Sequence, residues 1–243
     1  MNHELRQSED QAVQNTLLST YCQPRIKEAR ERQDEILVSR FRGGPYNIAD
    51  IGCGDGYHGS IFAPAGGVYH GFEIAPQIAE IARKRWRDEG LENAQVFVGD
   101  VADADLQEDF YGLAWCLYFT PGNFRDKSDD LSLYTESYLN RNPVFIRVIS
   151  RFYSALKPGG LMFLTVYKDV PEAEAAQIDF YEHTGQHVVT LRGSRFVYTA
   201  EHMWSTRWTE RSMLSNLHEC DIGADRVVFH DLNAIAWLVE ITK

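Results

Sequence analysis

The sequence predicts one doubly wound α/β domain, and three observations predict it. From residue 46 onward, short apolar strands alternate with amphipathic helices. The first three strands each end on or just before an acid, at Asp50, Glu73 and Asp100. A glycine-rich turn, Gly52-x-Gly54-x-Gly56, follows the first strand directly. Strands joined through helices build a parallel sheet with helices on both faces, because parallel neighbours need a long crossover between them.

The elements follow in order. Residues 8–20 and 24–40 read as two helices, forming an N-terminal helical cap over 1–45 that Gly43-Gly44-Pro45 ends. The α/β core spans 46–167. Its strands are expected at 46–50, 68–73, 94–98, 112–118 and 161–167. Pro76 opens a helix to about residue 89, since proline suits the first helical turn. Asn142 and Pro143 read as N-cap and first residue of another helix. Val144, Phe145, Val148, Ile149, Phe152 and Leu156 form its apolar face, and Lys157-Pro158-Gly159-Gly160 terminates it. Residues 168–208 read as an insertion: an acidic lid over 168–185, then a hairpin turning at Gly193-Ser194. Residues 209–243 close the same domain with a helix over 210–220 and an antiparallel strand pair.

Composition narrows the classes of partner. The 243 residues are 44% hydrophobic and 24% charged, as in a globular domain with its own core. The formal net charge of −11 argues against nucleic acid, which needs clustered Lys and Arg. The longest apolar run, 113–119, is too short to span a bilayer, so no membrane partner is expected. Cys22, Cys53, Cys116 and Cys220 form no CxxC pair, and the first ten residues lack the apolar stretch of a signal peptide. A cytoplasmic protein with reduced thiols is expected.

The chemistry concentrates in Asp50-x-Gly52-x-Gly54-x-Gly56. Glycines at a strand-to-helix turn let the backbone approach a ligand closely. The overlapping Gly54-x-Gly56-x-x-Gly59 matches a dinucleotide fingerprint, but two points favour S-adenosylmethionine (SAM) over NAD. Asp50 stands two residues before the turn, awkward beside a pyrophosphate and suited to an ammonium or ordered water. Glu73 lies only 14 residues past Gly59, whereas the dinucleotide acid falls about 20 residues on. Glu73 can accept from both ribose hydroxyls. Asp100 can accept from the adenine amino group, with the Val101 N–H donating to the ring.

With these residues in place, the chain resembles the class I SAM-dependent methyltransferases. The resemblance is strong over 46–167, through the glycine turn, Glu73, Gly99-Asp100 and Leu156-Lys-Pro-Gly-Gly, and weaker to the end. It implies a Rossmann-like, seven-stranded sheet with an antiparallel last strand. It also implies SAM as cofactor, bound by Asp50, Gly52, Cys53, Gly54, Gly56, Glu73, Ile74, Asp100, Val101 and Leu117. Tyr21 and Arg25 are expected to close over it, Arg25 pairing its carboxylate. In the family the fourth strand's end, here Tyr118 and Phe119, faces the transferred methyl.

Methyl transfer needs alignment and exclusion of water, and a base only when the acceptor arrives protonated. Tyr118, Asp169 and His202 are the candidate catalytic groups. Asp169, Glu172, Glu174, Asp179 and Glu182, with Asp126, Asp129, Asp130 and Glu136, would give the pocket an acidic mouth. That predicts a small-molecule amine, with N-methylation slightly ahead of O-methylation. Tyr181, Phe196, Tyr198, Trp204 and Trp208 suit a planar ligand. His183 and His187 lack a third ligand, so no metal is expected. The competing readings are a protein or RNA methyltransferase, a non-catalytic SAM-binding regulator and a nicotinamide-dependent oxidoreductase; oligomeric state stays open.

Overall fold

A computed structural model describes residues 23–125, 130–190 and 193–243. The proposed first helix and Tyr21 lie outside the described residues, as do Cys22, Asp126 and Asp129. In chain order the elements are α1 (Pro24–Phe41), β1 (Ile48–Ile51), α2 (Tyr57–Phe62), β2 (Tyr69–Glu73), α3 (Pro76–Asp88), β3 (Ala94–Val98) and β4 (Tyr111–Cys116). Then come α4 (Glu136–Asn140), α5 (Pro143–Ala155), β5 (Leu156–Lys168), α6 (Pro171–His183), β6 (Phe196–Tyr198), β7 (Trp204–Trp208), α7 (Glu210–His218), β8 (Val227–Asn233) and β9 (Ala236–Thr242).

Local chemistry sets the helix starts. The Gln23 side chain accepts from the N–H groups of Arg25 and Ile26, and Pro24 follows it. Asn142 caps α5 through Val144 and Phe145, as its sequence signature predicts. Thr209 and Ser212 form a reciprocal capping box on α7.

β1 pairs in parallel with β2 and β4, β2 with β3, and β4 with β5. β9 pairs antiparallel to β5 over Leu161–Thr242 through Tyr167–Ala236, and β8 antiparallel to β9. The core order is thus β3-β2-β1-β4-β5-β9-β8, the seven-stranded arrangement with an antiparallel last strand. The strand order reverses between β1 and β4, and a crevice opens outside their carboxyl ends. Alternate β4 and β5 side chains fill two cores. Leu113, Trp115 and Phe163 face α1 and α3, while Ala114, Cys116, Met162 and Leu164 face α5 and α7.

Three local expectations change. Lys157-Pro158-Gly159-Gly160 is not a break before the fifth strand. β5 starts at Leu156, and the segment is absorbed as an irregularity between the pairs Tyr111–Leu156 and Leu113–Leu161. The regular strands β6 and β7 turn at 199–203, while the reversal expected around Gly193-Ser194 is irregular: Val188 bridges Thr199, Val189 N–H donates to the Tyr198 carbonyl and Ala200 N–H to the His187 carbonyl. The stretch read as an acidic lid holds a regular helix, α6, that buries Ala173, Ala176, Phe180 and Tyr181. β7 then adds in parallel to the tip of β5, carrying the hairpin over the crevice.

Candidate functional site

A cavity of about 690 Å³ occupies the crevice at the carboxyl ends of β1, β2 and β4. Its size falls in the range of small-ligand pockets. Asp50, Gly52, Cys53, Gly54, Glu73, Ile74, Asp100, Val101 and Leu117 all line it, as expected from the sequence.

The glycine turn divides its work. Gly54 is left-handed at φ +55°, and a Cβ built on it meets nothing within 4 Å, so its open face borders the cavity. Gly56 does not line the cavity. It is left-handed at φ +80°, its carbonyl accepts from Trp86 Nε1 at 2.7 Å, and a Cβ would sit 2.7 Å from that same nitrogen. Gly56 is therefore a packing glycine that lets α3 press its Trp86 onto the turn.

Glu73 is almost wholly buried. Its Oε2 accepts from Gly54 N–H at 3.0 Å and its Oε1 from Ala75 N–H at 2.9 Å. One carboxylate thus fixes the glycine turn and the entry to α3 while facing the cavity. Asp100 accepts from the Ala102 N–H at 2.9 Å, so it caps a short turn and lines the cavity as well. Asp50 accepts from the Tyr69 hydroxyl at 2.5 Å. These groups fit SAM: an approachable turn, then two acids in the order ribose and adenine require. The thiol of Cys53 is pushed well up by burial and then by Asp50 and Glu73, so it is a wall and not a nucleophile.

Burial raises both Glu73 and Asp50, with backbone donors only partly offsetting it for Glu73. A raised carboxyl binds its proton more tightly in the folded state. Its contribution to stability is therefore present at low pH and lost as pH rises from the ordinary glutamate value of 4.5 through the raised one. A ribose bound at Glu73 would run the opposite way, because its hydroxyls donate best to the ionised carboxylate. Calorimetry with S-adenosylhomocysteine should show affinity falling with pH on the acid side, beginning above 4.5. That acid limb should flatten in Glu73→Gln, and an identical limb in both proteins would exclude Glu73 as its source.

Several sequence-based assignments change. Tyr118 lines the cavity, but its hydroxyl donates to Asp34 Oδ2 at 2.7 Å, and burial followed by Asp34 pushes it far above the ordinary tyrosine range. It stays protonated and cannot serve as a base. Asp169 lies outside the cavity, with Oδ1 3.3 Å from Arg207 Nε and Oδ2 3.6 Å from Arg195 Nε. It neutralises buried guanidinium groups. Arg25 is exposed at a separate shallow depression with Glu172 and Asp179, away from the cavity. The acidic mouth does not form from the described residues: Glu136 pairs with Arg195, and Glu174 accepts from Gly193 N–H. His183 and His187 take different carboxylates, Asp179 and Glu201. His202 does line the cavity.

α1 supplies what the sequence reading missed. Ile26 and Arg30 line the cavity. Arg30 lies 4.6 Å over the Tyr118 ring and has no ion pair among the described residues. Asp34 joins Tyr118 to His58 Nε2, 3.0 Å away, and Gln33 is fully buried against Tyr118 and Thr165. Gln33 falls in the buried series Ile26, Ala29, Gln33, Leu37, Phe41, and an amide on that stripe was the available signal. Tyr118 and Phe119 both have positive φ, 52° and 69°, which turns the chain sharply at the tip of β4.

Residues 48–123 match the family model of a methyltransferase domain. Among solved structures the chain is similar to the 1,6-didemethyltoxoflavin-N1-methyltransferase of Burkholderia thailandensis, with bound 1,6-didemethyltoxoflavin and S-adenosylhomocysteine. The TM-score is 0.60 at 13% identity, over 99% of this chain and 87% of that one. A SAM-dependent methyltransferase of Methanosarcina mazei gives 0.59 at 16%, over 85% and 96%. Magnesium protoporphyrin IX methyltransferase of Synechocystis PCC 6803 gives 0.53 at 14%, over 99% and 85%. At such identities the likeness is one of fold. No curated protein matches the chain in sequence.

Over residues 48–123 the chain matches a methyltransferase domain, and its fold is shared with solved SAM-dependent methyltransferases. Within this chain the matched stretch runs from β1 to the turn after β4, which holds the glycine turn, Glu73 and Asp100. The cavity wall formed by Tyr167, Phe180, Tyr181, Met203 and Trp204 lies beyond it. No helix among the described residues is long and apolar enough to cross a membrane.

Proposed function

We propose that the enzyme methylates a planar small-molecule acceptor held at the aromatic end of the cavity. The observation that carries this is the wall itself. Phe119 stacks on Tyr167 with centroids 3.8 Å apart and planes 8° from parallel, and Phe180, Tyr181, Met203 and Trp204 complete it. Residues 168–208 supply four of these six side chains beyond the cofactor motifs, so this insertion is the acceptor-binding unit. Flat apolar walls favour a flat apolar ring by area buried and by stacking. The likeness in fold to the 1,6-didemethyltoxoflavin-N1-methyltransferase and the magnesium protoporphyrin IX methyltransferase supports a small acceptor. A formal net charge of −11 weighs against RNA.

Of the acids that favoured an amine, Asp169 and Glu136 pair with arginines outside the cavity, so nitrogen and oxygen acceptors both remain within this proposal. SAM supplies an activated methyl group when bound. The chain's part is to hold it: Glu73 at the ribose, Asp100 and Val101 at the adenine, the Gly52–Gly54 backbone at the methionine portion. Arg30 takes the carboxylate role expected of Arg25, since it is the α1 cation at the cavity. Arg30→Met should weaken S-adenosylhomocysteine binding about 10-fold, on the scale of one exposed charge-assisted contact. Arg25→Met should not change it, and equal effects from the two would remove Arg30 from this role. Cys53, Cys116 and Cys220 are buried free thiols, which supports a reducing, cytoplasmic setting.

The test is release of S-adenosylhomocysteine from SAM across panels of planar hydroxylated and amino-substituted rings. Turnover of rings but not of peptides or RNA is expected. Cofactor binding with no turnover of any small molecule would leave a SAM-binding regulator as the better reading.

A further inference from the structure

The turn joining β6 to β7 is held more firmly than a hairpin needs. Thr199 N–H donates to the Met203 carbonyl at 3.0 Å, His202 N–H to the Thr199 carbonyl at 2.9 Å, and Met203 N–H to Thr199 Oγ1 at 3.1 Å. Two contacts arrive from elsewhere in the chain. Arg125 Nη2 donates to the His202 carbonyl at 2.8 Å, and Glu201 Oε2 accepts from the His187 N–H at 2.8 Å. The turn so fixed holds His202 in the left-handed region at φ +67°. A non-glycine residue keeps such a backbone only where its surroundings over-determine it, and such positions cluster at functional sites.

The side chain is placed with equal care. His202 borders the cavity, and its Nδ1 lies 2.6 Å from the Tyr198 hydroxyl. Tyr198 is itself buried, and the Arg125 guanidinium lies over its ring at 5.5 Å. An imidazole with one nitrogen anchored by a fixed partner is the arrangement of an oriented base.

We propose that His202 takes the acceptor's proton through Nε2, with Tyr198 as its positioning residue. The acceptor is then a planar ring bearing a weakly acidic hydroxyl or ring N–H. This rests on the methyl-transfer reading above. The charged groups that hold this turn are Arg125, whose Nη2 donates to the His202 carbonyl, and Glu201, which is engaged by His187. In the step, the acceptor's O–H or N–H bond breaks and its proton passes to Nε2. The freed lone pair bonds to the methyl carbon as the carbon–sulfur bond breaks, its electron pair staying on sulfur. The sulfonium charge is thereby discharged, and the Nδ1–H of the imidazolium donates to the Tyr198 oxygen until solvent takes the proton. An aromatic amine, already nucleophilic through a neutral lone pair, would gain little from this base.

The experiment has one part that needs no turnover. In protein saturated with S-adenosylhomocysteine, the histidine C2–H signal missing from His202→Gln is titrated in wild type and in Tyr198→Phe. A displaced titration in Tyr198→Phe is expected, and an unmoved one would overturn the pairing. In the same complex, bound 7-hydroxycoumarin should show more phenolate absorption than in bulk buffer, and this excess should vanish in His202→Gln. With SAM, 7-hydroxycoumarin and 7-aminocoumarin are compared. Methylation of the hydroxyl ring should show an acid limb at the titration point of His202, and kcat should fall about 100-fold or more in His202→Gln. Tyr198→Phe should shift that limb and lower kcat less, with little change in KM. Equal rates for His202→Gln and wild type, preference for the amine, or no methylation of either ring while S-adenosylhomocysteine binds would each overturn the proposal. Failure of S-adenosylhomocysteine to bind would instead strike the cofactor reading, and the histidine titration would still decide the role of Tyr198.

Discussion

Glu73→Ala should cost the protein most of its cofactor affinity, about 100-fold or more for S-adenosylhomocysteine by calorimetry. A hydrogen bond to a charged group contributes about 1.5–3 kcal/mol, and two ribose hydroxyls lose their acceptor together. The same carboxylate holds the Gly54 and Ala75 N–H groups, so its loss also releases the glycine turn. Glu73→Gln separates the two effects. Its amide keeps the volume, but one end must turn an NH₂ toward a backbone N–H, because both Glu73 oxygens already accept from one. An intermediate affinity and a lower melting temperature are expected. If Glu73→Ala binds S-adenosylhomocysteine as tightly as wild type, the cofactor does not lie along β2, and the assignment of the acid row fails.

Asp169→Ala should do the reverse, lowering stability while sparing cofactor affinity. Arg207 is only 2% exposed and Arg195 9%, and Asp169 is the carboxylate within reach of both. Removing one member of a buried charge cluster costs about 3–5 kcal/mol, because the remaining charge stays desolvated. Asp169 is itself 23% exposed, which places the expectation toward the lower end. At roughly 2–4 °C per kcal/mol for a chain of this size, the melting temperature should fall by on the order of 10 °C. S-adenosylhomocysteine binding measured well below that transition should stay near the wild-type value. A variant that melts like wild type but has lost methyl transfer would return Asp169 to catalysis.

The two residues show why one prediction from the sequence carried over and another did not. Glu73 was legible because its place depends on local facts: a strand end, a following helix start and a glycine turn in fixed register. Asp169 sits equally near a strand end, yet its side chain turns to arginines 26 and 38 positions further on, which no local pattern announces. Arg25 and Arg30 differ likewise. Both are cations on one solvated helix, and only the packing of the Ile26–Gln33–Leu37 stripe decides which of them reaches the cavity. Tyr118 lines the cavity at the end of β4, but its chemistry is set by Asp34 from a helix 84 positions earlier.

By itself the sequence determined the alternation of strands and helices, the cap at Asn142, the closing antiparallel pair and the row of acids along the strand ends. Those features follow from backbone geometry and from hydrogen bonds made within a few residues. Only the tertiary structure decided the rest: β5 running through its Pro-Gly-Gly segment, the hairpin turning at 199–203, the acids of α6 leaving the cavity, and His202 meeting Tyr198 at its rim. These depend on contacts between distant segments, whose energies appear only once burial has removed water and left each charge and ring to find a partner.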